Sequence, residues 1–190
     1  MSEQQHEQES APEREPMAQP RIYVASLSDY NAGRLHGVWL NANQDVEELQ
    51  SAVGVMLKKS HEPWAEEYAV HDYENFGPVR LGEYTSLATV AAVAHGLIEH
   101  GQPFGHWAEY VDCQADELER FEECYRGQWE SLSAWAEEAI YDLGVYEGID
   151  RMPEWVQPYV HVDFVQLGED MSQDYFVADD SEGIYVFDAS

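Results

Sequence analysis

Between Asp116 and Glu138 the chain reads DELERFEECYRGQWESLSAWAEE, and this stretch constrains the rest. It carries Asp116, Glu117, Glu119, Glu122, Glu123, Glu130, Glu137 and Glu138, with Asp112 just upstream, against only Arg120 and Arg126. The pattern predicts two helical segments joined near Gly127. Acids at i, i+3 and i+4 then share a helix face at about 5–6 Å and repel by a few tenths of a kcal/mol per pair. A surface tolerates such a face, but a long one points to a use in binding.

The same bias runs through the chain. The net charge is −29 over 190 residues, and Lys58 and Lys59 are the only lysines. No Lys or Arg lies between Arg80 and Arg120, and the last 39 residues hold nine acids and no Lys or Arg. A charge of this size sets solubility and partner choice, not fold. It argues against nucleic acid and anionic membrane as direct partners and favours a basic one. A halophile surface and a calcium-binding protein share this composition and compete with that reading. Hydrophobic residues make up 44 % and aromatics 13 %, enough for a packed core.

Read in order, residues 1–20 are Glu, Gln, Pro and Ser with little to bury, the composition of a disordered tail. RIYVAS (21–26) alternates as a strand, SLSDYNAG reads as a turn or loop, and RLHGVWL (34–40) is a second strand. Asn41 or Asn43 can cap a helix over about 44–59 that aligns Val46, Leu49, Val53 and Leu57. EEYAVHDY (66–73) is a third strand, closing a small α+β unit near Tyr84. Thr85 or Ser86 caps the helix SLATVAAVAHGLIEHG, stopped at Gly101. PFGHWAEYVD and ADELERFEECYRG are read as further helices, so 86–125 is nearly all helix and must pack on a neighbour. Ser131 or Ser133 opens or interrupts the segment to Leu143, with Gly144 a plausible C-cap. EGIDRMPEWVQPYV is a loop with two prolines and a short helical turn. DYFVADDSEGIYVFDA ends the chain as a hairpin with a loop of four or five residues.

No catalytic site emerges. The histidines lack ligand spacing such as His-Glu-x-x-His. His71 and Asp72 adjoin in a strand and so point to opposite faces. DDSEG (179–183) lacks the twelve-residue order and terminal Glu of a calcium loop. Cys113 and Cys124 match no zinc pattern and read as small, partly buried side chains in a reducing compartment. The expectation is a protein with no metal, no cofactor and no enzyme chemistry. No apolar run approaches 18 residues and the N-terminus has no apolar signal core, so a cytosolic protein is expected.

Charge spacing is more informative. Residues 21–190 carry 33 acids and 8 bases, a net of −25. At one charge per about 1.7 Å of duplex axis, that equals roughly 40 Å of B-DNA if most of it is displayed. The composition therefore permits imitation of a phosphate backbone.

Three segments carry a resemblance. RIYVASLSDYNAGRLHGVWL (21–40) resembles the opening strands of the ArdA antirestriction proteins. EEYAVHDYENFGPVRLGEYTSL (66–87) resembles the family's acidic Asp-Tyr-Glu segment. WAEEAIYDLGVYEGIDRMPEWVQPYVHVDF (135–164), followed by IYVF, is similar to its C-terminal region. The resemblance covers 21–190 in family order and matches 88–125 poorly.

The resemblance implies an α+β fold in an elongated chain of three small domains with a highly acidic surface. The tail spans 1–20. An N-terminal unit with a small β-sheet and helix spans 21–85, a helical middle 86–125, and a C-terminal α+β domain 126–190. It implies a homodimer paired through the C-terminal domain, from a bacterial mobile element and working in bacterial cytoplasm. It implies a surface that mimics bent duplex DNA and occupies the groove of the type I restriction–modification methyltransferase core, inhibiting restriction. The acids assigned to that surface are Glu66, Glu67, Asp72, Glu74, Glu83, Glu99, Glu109, Asp112, Asp116, Glu117, Glu119, Glu122, Glu123, Glu130, Glu137, Glu138 and Asp142. The family's antirestriction motif maps loosely to Leu143–Tyr159. There Val145, Tyr146, Ile149, Met152, Trp155, Val156 and Tyr159 form either the dimer seam or the domain's own core. The competing assignments are an acidic protein binding another basic partner, such as a nucleoid protein, and a halophile enzyme.

Overall fold

The computed structural model describes residues 18–190, and the tail expected over 1–20 falls outside it as far as residue 17. Contacts begin before Arg21. Pro20 is buried and its carbonyl accepts from the Ala42 amide at 2.9 Å, while the Gln19 carbonyl accepts from Asn75 Nδ2 at 2.9 Å.

The first sheet is built from β1 (Arg21–Ser26), β2 (Gly37–Asn41) and β3 (Tyr68–Glu74), antiparallel in the order β2-β1-β3. Ile22 and Val24 of the central strand point into the core, while Tyr23 faces out against Trp39, ring centroids 5.6 Å apart. Arg21 caps that pair, its guanidinium carbon 5.2 Å from the Trp39 ring. The segment expected as a loop after β1 begins with a short helix, α1 (Leu27–Asn31), because Ser26 accepts from the Asp29 amide and caps it. Helix α2 (Val46–Leu57) buries Leu49, Val53 and Met56.

Helix α3 (Leu87–His100) starts at Ser86, which accepts from the Thr89 amide, and stops at Gly101 at φ 76. It turns directly into α4 (Gln102–Tyr110), which carries Pro103 in its first turn, where a missing amide is harmless. The continuous helix expected over ADELERFEECYRG is instead two single turns, α5 (Ala115–Leu118) and α6 (Phe121–Cys124), followed by a strand. Leu118, Phe121 and Cys124 all face the core. Trp107 Nε1 also donates to the Glu117 carbonyl at 2.8 Å, taking up an acceptor near the end of α5.

Gly127 therefore does not join two helices. It lies in β4 (Tyr125–Trp129), which pairs with β6 (Gly183–Phe187), and β6 pairs with β5 (Phe176–Asp180) in the order β4-β6-β5. Asp180 opposes Gly183, so the terminal hairpin turns on two residues, Ser181 and Glu182, rather than four or five. Helix α7 (Leu132–Asp142) is capped by Ser131 and ends before Gly144, which is left-handed at φ 67. Helices α8 (Val145–Asp150) and α9 (Phe164–Met171) follow, the latter not anticipated from the sequence. Asp163 caps α9, and Gly168 allows it to lie against α7: a Cβ there would meet the Leu132 carbonyl oxygen at 2.5 Å.

Strand β6 holds the architecture together. Tyr185 and Phe187 belong to the main core, with Trp107, Phe121 and the apolar residues of α3 and the first sheet. Ile184 and Val186 point the other way, into a second cluster with Trp135, Leu132 and Met171. Alternation along an extended strand sends successive side chains to opposite faces, and here both faces are covered. Trp107 stacks on Phe187 at 5.6 Å. The result is an α+β protein with two small antiparallel sheets and nine α-helices among the described residues. No helix among them is long and apolar enough to cross a membrane.

Candidate protein-interaction surface

The acids assigned from the sequence lie on and between elements from the approach to β3 as far as α7. Glu66 and Glu67 lead into β3, and Asp72 and Glu74 share one face of β3, an edge strand. Glu83 precedes α3, Glu99 lies in α3 and Glu109 in α4. Asp112 sits in the turn after α4, where it and Cys113 both adopt left-handed backbone, at φ 52 and 53. Asp116 and Glu117 are in α5, Glu119 follows it, and Glu122 and Glu123 are in α6. Glu130 follows β4, and Glu137, Glu138 and Asp142 are on α7, the last two one helical turn apart.

All of these side chains are exposed except Glu109 and Glu117, which are half-buried. Three are paired to arginines: Glu74 with Arg21 at 2.9 Å, Glu109 with Arg80 at 3.7 Å and Glu117 with Arg120 at 2.8 Å. The others have no Lys or Arg partner among the described residues. The break of 116–138 into α5, α6, β4 and α7 means that its acids do not form one continuous helix face. They occupy successive elements instead.

The seven apolar residues weighed as seam or core divide clearly. None belongs to either buried cluster, and α8 contains no buried residue. Trp155 is 75 % and Tyr159 81 % exposed, while Val145, Ile149 and Val156 are half-buried. Tyr146 and Met152 are also exposed, as are Leu143 and Val165 nearby in sequence. Single exposed apolar side chains are ordinary, whereas here several fall within one short segment.

Among the described residues, Asp29 is the one buried carboxylate. Burial alone would raise its pKa. Hydrogen bonds from Ser60, Ser26 and the His61 amide and ring more than offset that and hold it well below the usual carboxylate range. The Ser60 hydroxyl donates to Oδ2, and the His61 amide donates to Oδ1 at 3.2 Å. This residue ties α1 to the chain leaving α2. No periodicity signals it, because its partners come from a loop distant in sequence. Asp188, paired to Arg126 at 2.6 Å, also has its pKa lowered, to about 2, by the Ser190 hydroxyl and then by that arginine.

Burial first, and then the charges of Glu109 and Asp112, push the Cys113 thiol up to about 11, so little thiolate forms at neutral pH. No cluster of three or more His, Cys, Asp or Glu able to hold a metal occurs among the described residues. A cleft of about 550 Å³ between Glu130, Ser131, Val165 and Asp180 holds acids and hydroxyls. Its Ser131 hydroxyl is engaged by Ser133 and the Ala134 amide.

The model of the antirestriction protein (ArdA) family matches residues 22–184. No match to a curated protein was found.

Proposed function

The chain belongs to the ArdA antirestriction family, and from that membership we propose that it inhibits restriction by imitating duplex DNA. Its target is the basic DNA groove of the type I restriction–modification methyltransferase core. The supporting observation is the set of exposed carboxylates without Lys or Arg partners among the described residues, carried on elements from the first sheet to α7. Carboxylates in such a groove take the place of phosphates and release counterions in the same way, so binding weakens steeply with salt. A long-range field of one sign steers association and makes it fast. No bond is broken, and the work is done by occupancy.

The acting unit in this proposal is a homodimer joined through the exposed apolar segment around Trp155 and Tyr159. Two chains of net charge −29 repel, so an apolar seam is needed to hold them.

The test is competition. Purified protein displaces labelled DNA from a type I methyltransferase at near-stoichiometric amounts, with displacement falling as salt rises. Absence of displacement at low salt, with the protein folded, would refute the target.

A further inference from the structure

Trp64 is the most exposed of the six tryptophans, at 90 %. Its backbone is also left-handed, at φ 66, in the turn that follows Pro63. Turns with Pro first and positive φ second take Gly or Asn in the second place, because a Cβ there is strained. The site thus combines two unfavourable features, a solvated indole and a strained backbone. No ring of the described chain packs on Trp64 to offset either.

The turn is held from both ends. Ser60 and His61 are fastened to buried Asp29, Glu62 is ion-paired with Arg34, and the Leu27 amide donates to the Glu67 carbonyl at 3.1 Å. Strained backbone persists where its surroundings over-determine it, and such positions gather at functional sites. The side chain is therefore presented on a fixed support, which lowers the ordering cost of binding through it.

The flanking charge is nearly balanced, and the ring chemistry says what it meets. Glu66 and Glu67 are exposed, without a Lys or Arg partner among the described residues, on one side of the turn, and Lys58 and Lys59 lie on the other. Net charge around the turn is small, so charge alone does not select a cation here. An indole does, through its negative ring face, and guanidinium is the side-chain cation most often found on it.

We propose that Trp64 is an anchor for an arginine of the partner, its guanidinium stacked on the indole. This rests on the reading that the partner is a basic methyltransferase groove. It adds a focused contact to a surface otherwise spread over many acids.

Trp64→Gly, with Trp64→Asn as a second variant suited to left-handed backbone, is compared with wild type in DNA displacement over a range of salt. The melting temperature of each variant holds or rises because strain is relieved. Displacement weakens at least tenfold, by a similar factor at low and high salt, whereas loss of an acid makes the salt slope shallower. Trp64→Phe keeps most of the effect. Variants that displace DNA as well as wild type overturn the proposal, and so does a fall in melting temperature, which would make Trp64 a structural residue. Loss of the dimer by light scattering with displacement unchanged would seat a second copy on this turn and overturn it too. Failure of the wild-type protein to displace DNA sinks the choice of target, and with it the arginine named here, and is read before any variant is made.

Discussion

If the surface acts through spread charge, single acids are weak and groups of them are strong. Glu119, Glu122, Glu123 and Glu137 are all exposed and none forms an ion pair, so an amide at any of them leaves no internal cation unpaired. An exposed ion pair with a partner is worth about 0–1 kcal/mol. One Glu→Gln change therefore weakens binding by at most about fivefold. At about 0.5 kcal/mol each, all four together cost about 2 kcal/mol, or roughly thirtyfold. If each carboxylate stands for one phosphate, the slope of log affinity against log salt also becomes shallower, by up to about 3.6 for the four. The assay is displacement of fluorescent DNA from a type I methyltransferase, followed by anisotropy between low and moderate salt, with circular dichroism to check the fold. A single amide that abolishes displacement in a folded protein would place the activity in a focused site. A fourfold variant identical to wild type in affinity and slope would remove this stretch from the binding surface.

Other outcomes follow from particular residues. Trp155→Ala yields monomers by light scattering, weakening the dimer by about 2 kcal/mol or more as a buried anchor does, with monomer stability changed by no more than about 0.5 kcal/mol because the side chain is exposed. Gly168→Ala drives a Cβ to 2.5 Å from the Leu132 carbonyl oxygen. The clash with main chain costs about 1–3 kcal/mol and outweighs the helix-propensity gain of about 1 kcal/mol. The melting temperature falls, and a variant as stable as wild type would refute the close approach of α7 and α9. The lowered pKa of Asp29 means that its contribution to stability is complete above the unfolded carboxylate range, near pH 4. It is lost as pH falls through the folded value. Asp29→Asn is accordingly less stable at pH 7 and loses less of its stability on acidification, while Asp188 still titrates near pH 2. Melting curves from pH 7 to 2 check this, and parallel acid limbs for the two proteins would contradict it.

Much of the frame follows from short-range chemistry legible in the sequence. Strand β1 shows alternation, α2 shows its apolar spacing, and α3 shows a serine cap and a glycine stop, because these signals act within a few residues. The carboxylate excess is likewise a property of composition, and the family resemblance rests on quoted segments. The apolar run around Trp155 is visible in the sequence, but only the structure separates core from surface. Ile184 and Val186 of β6 close the second core with Trp135, which leaves Trp155 and Tyr159 outside it. The stretch 116–138 illustrates the limit. Its pattern suggests two helices joined near Gly127, yet Tyr125–Trp129 is a strand because β6, far along the chain, supplies the hydrogen-bonding edge. Helix α9 exists where Gly168 lets it meet α7. Asp29 became a buried tie because α1 and the end of α2 converge on it. Local periodicity and charge are fixed by neighbours in sequence, whereas pairing, burial and strain depend on residues brought together by the fold.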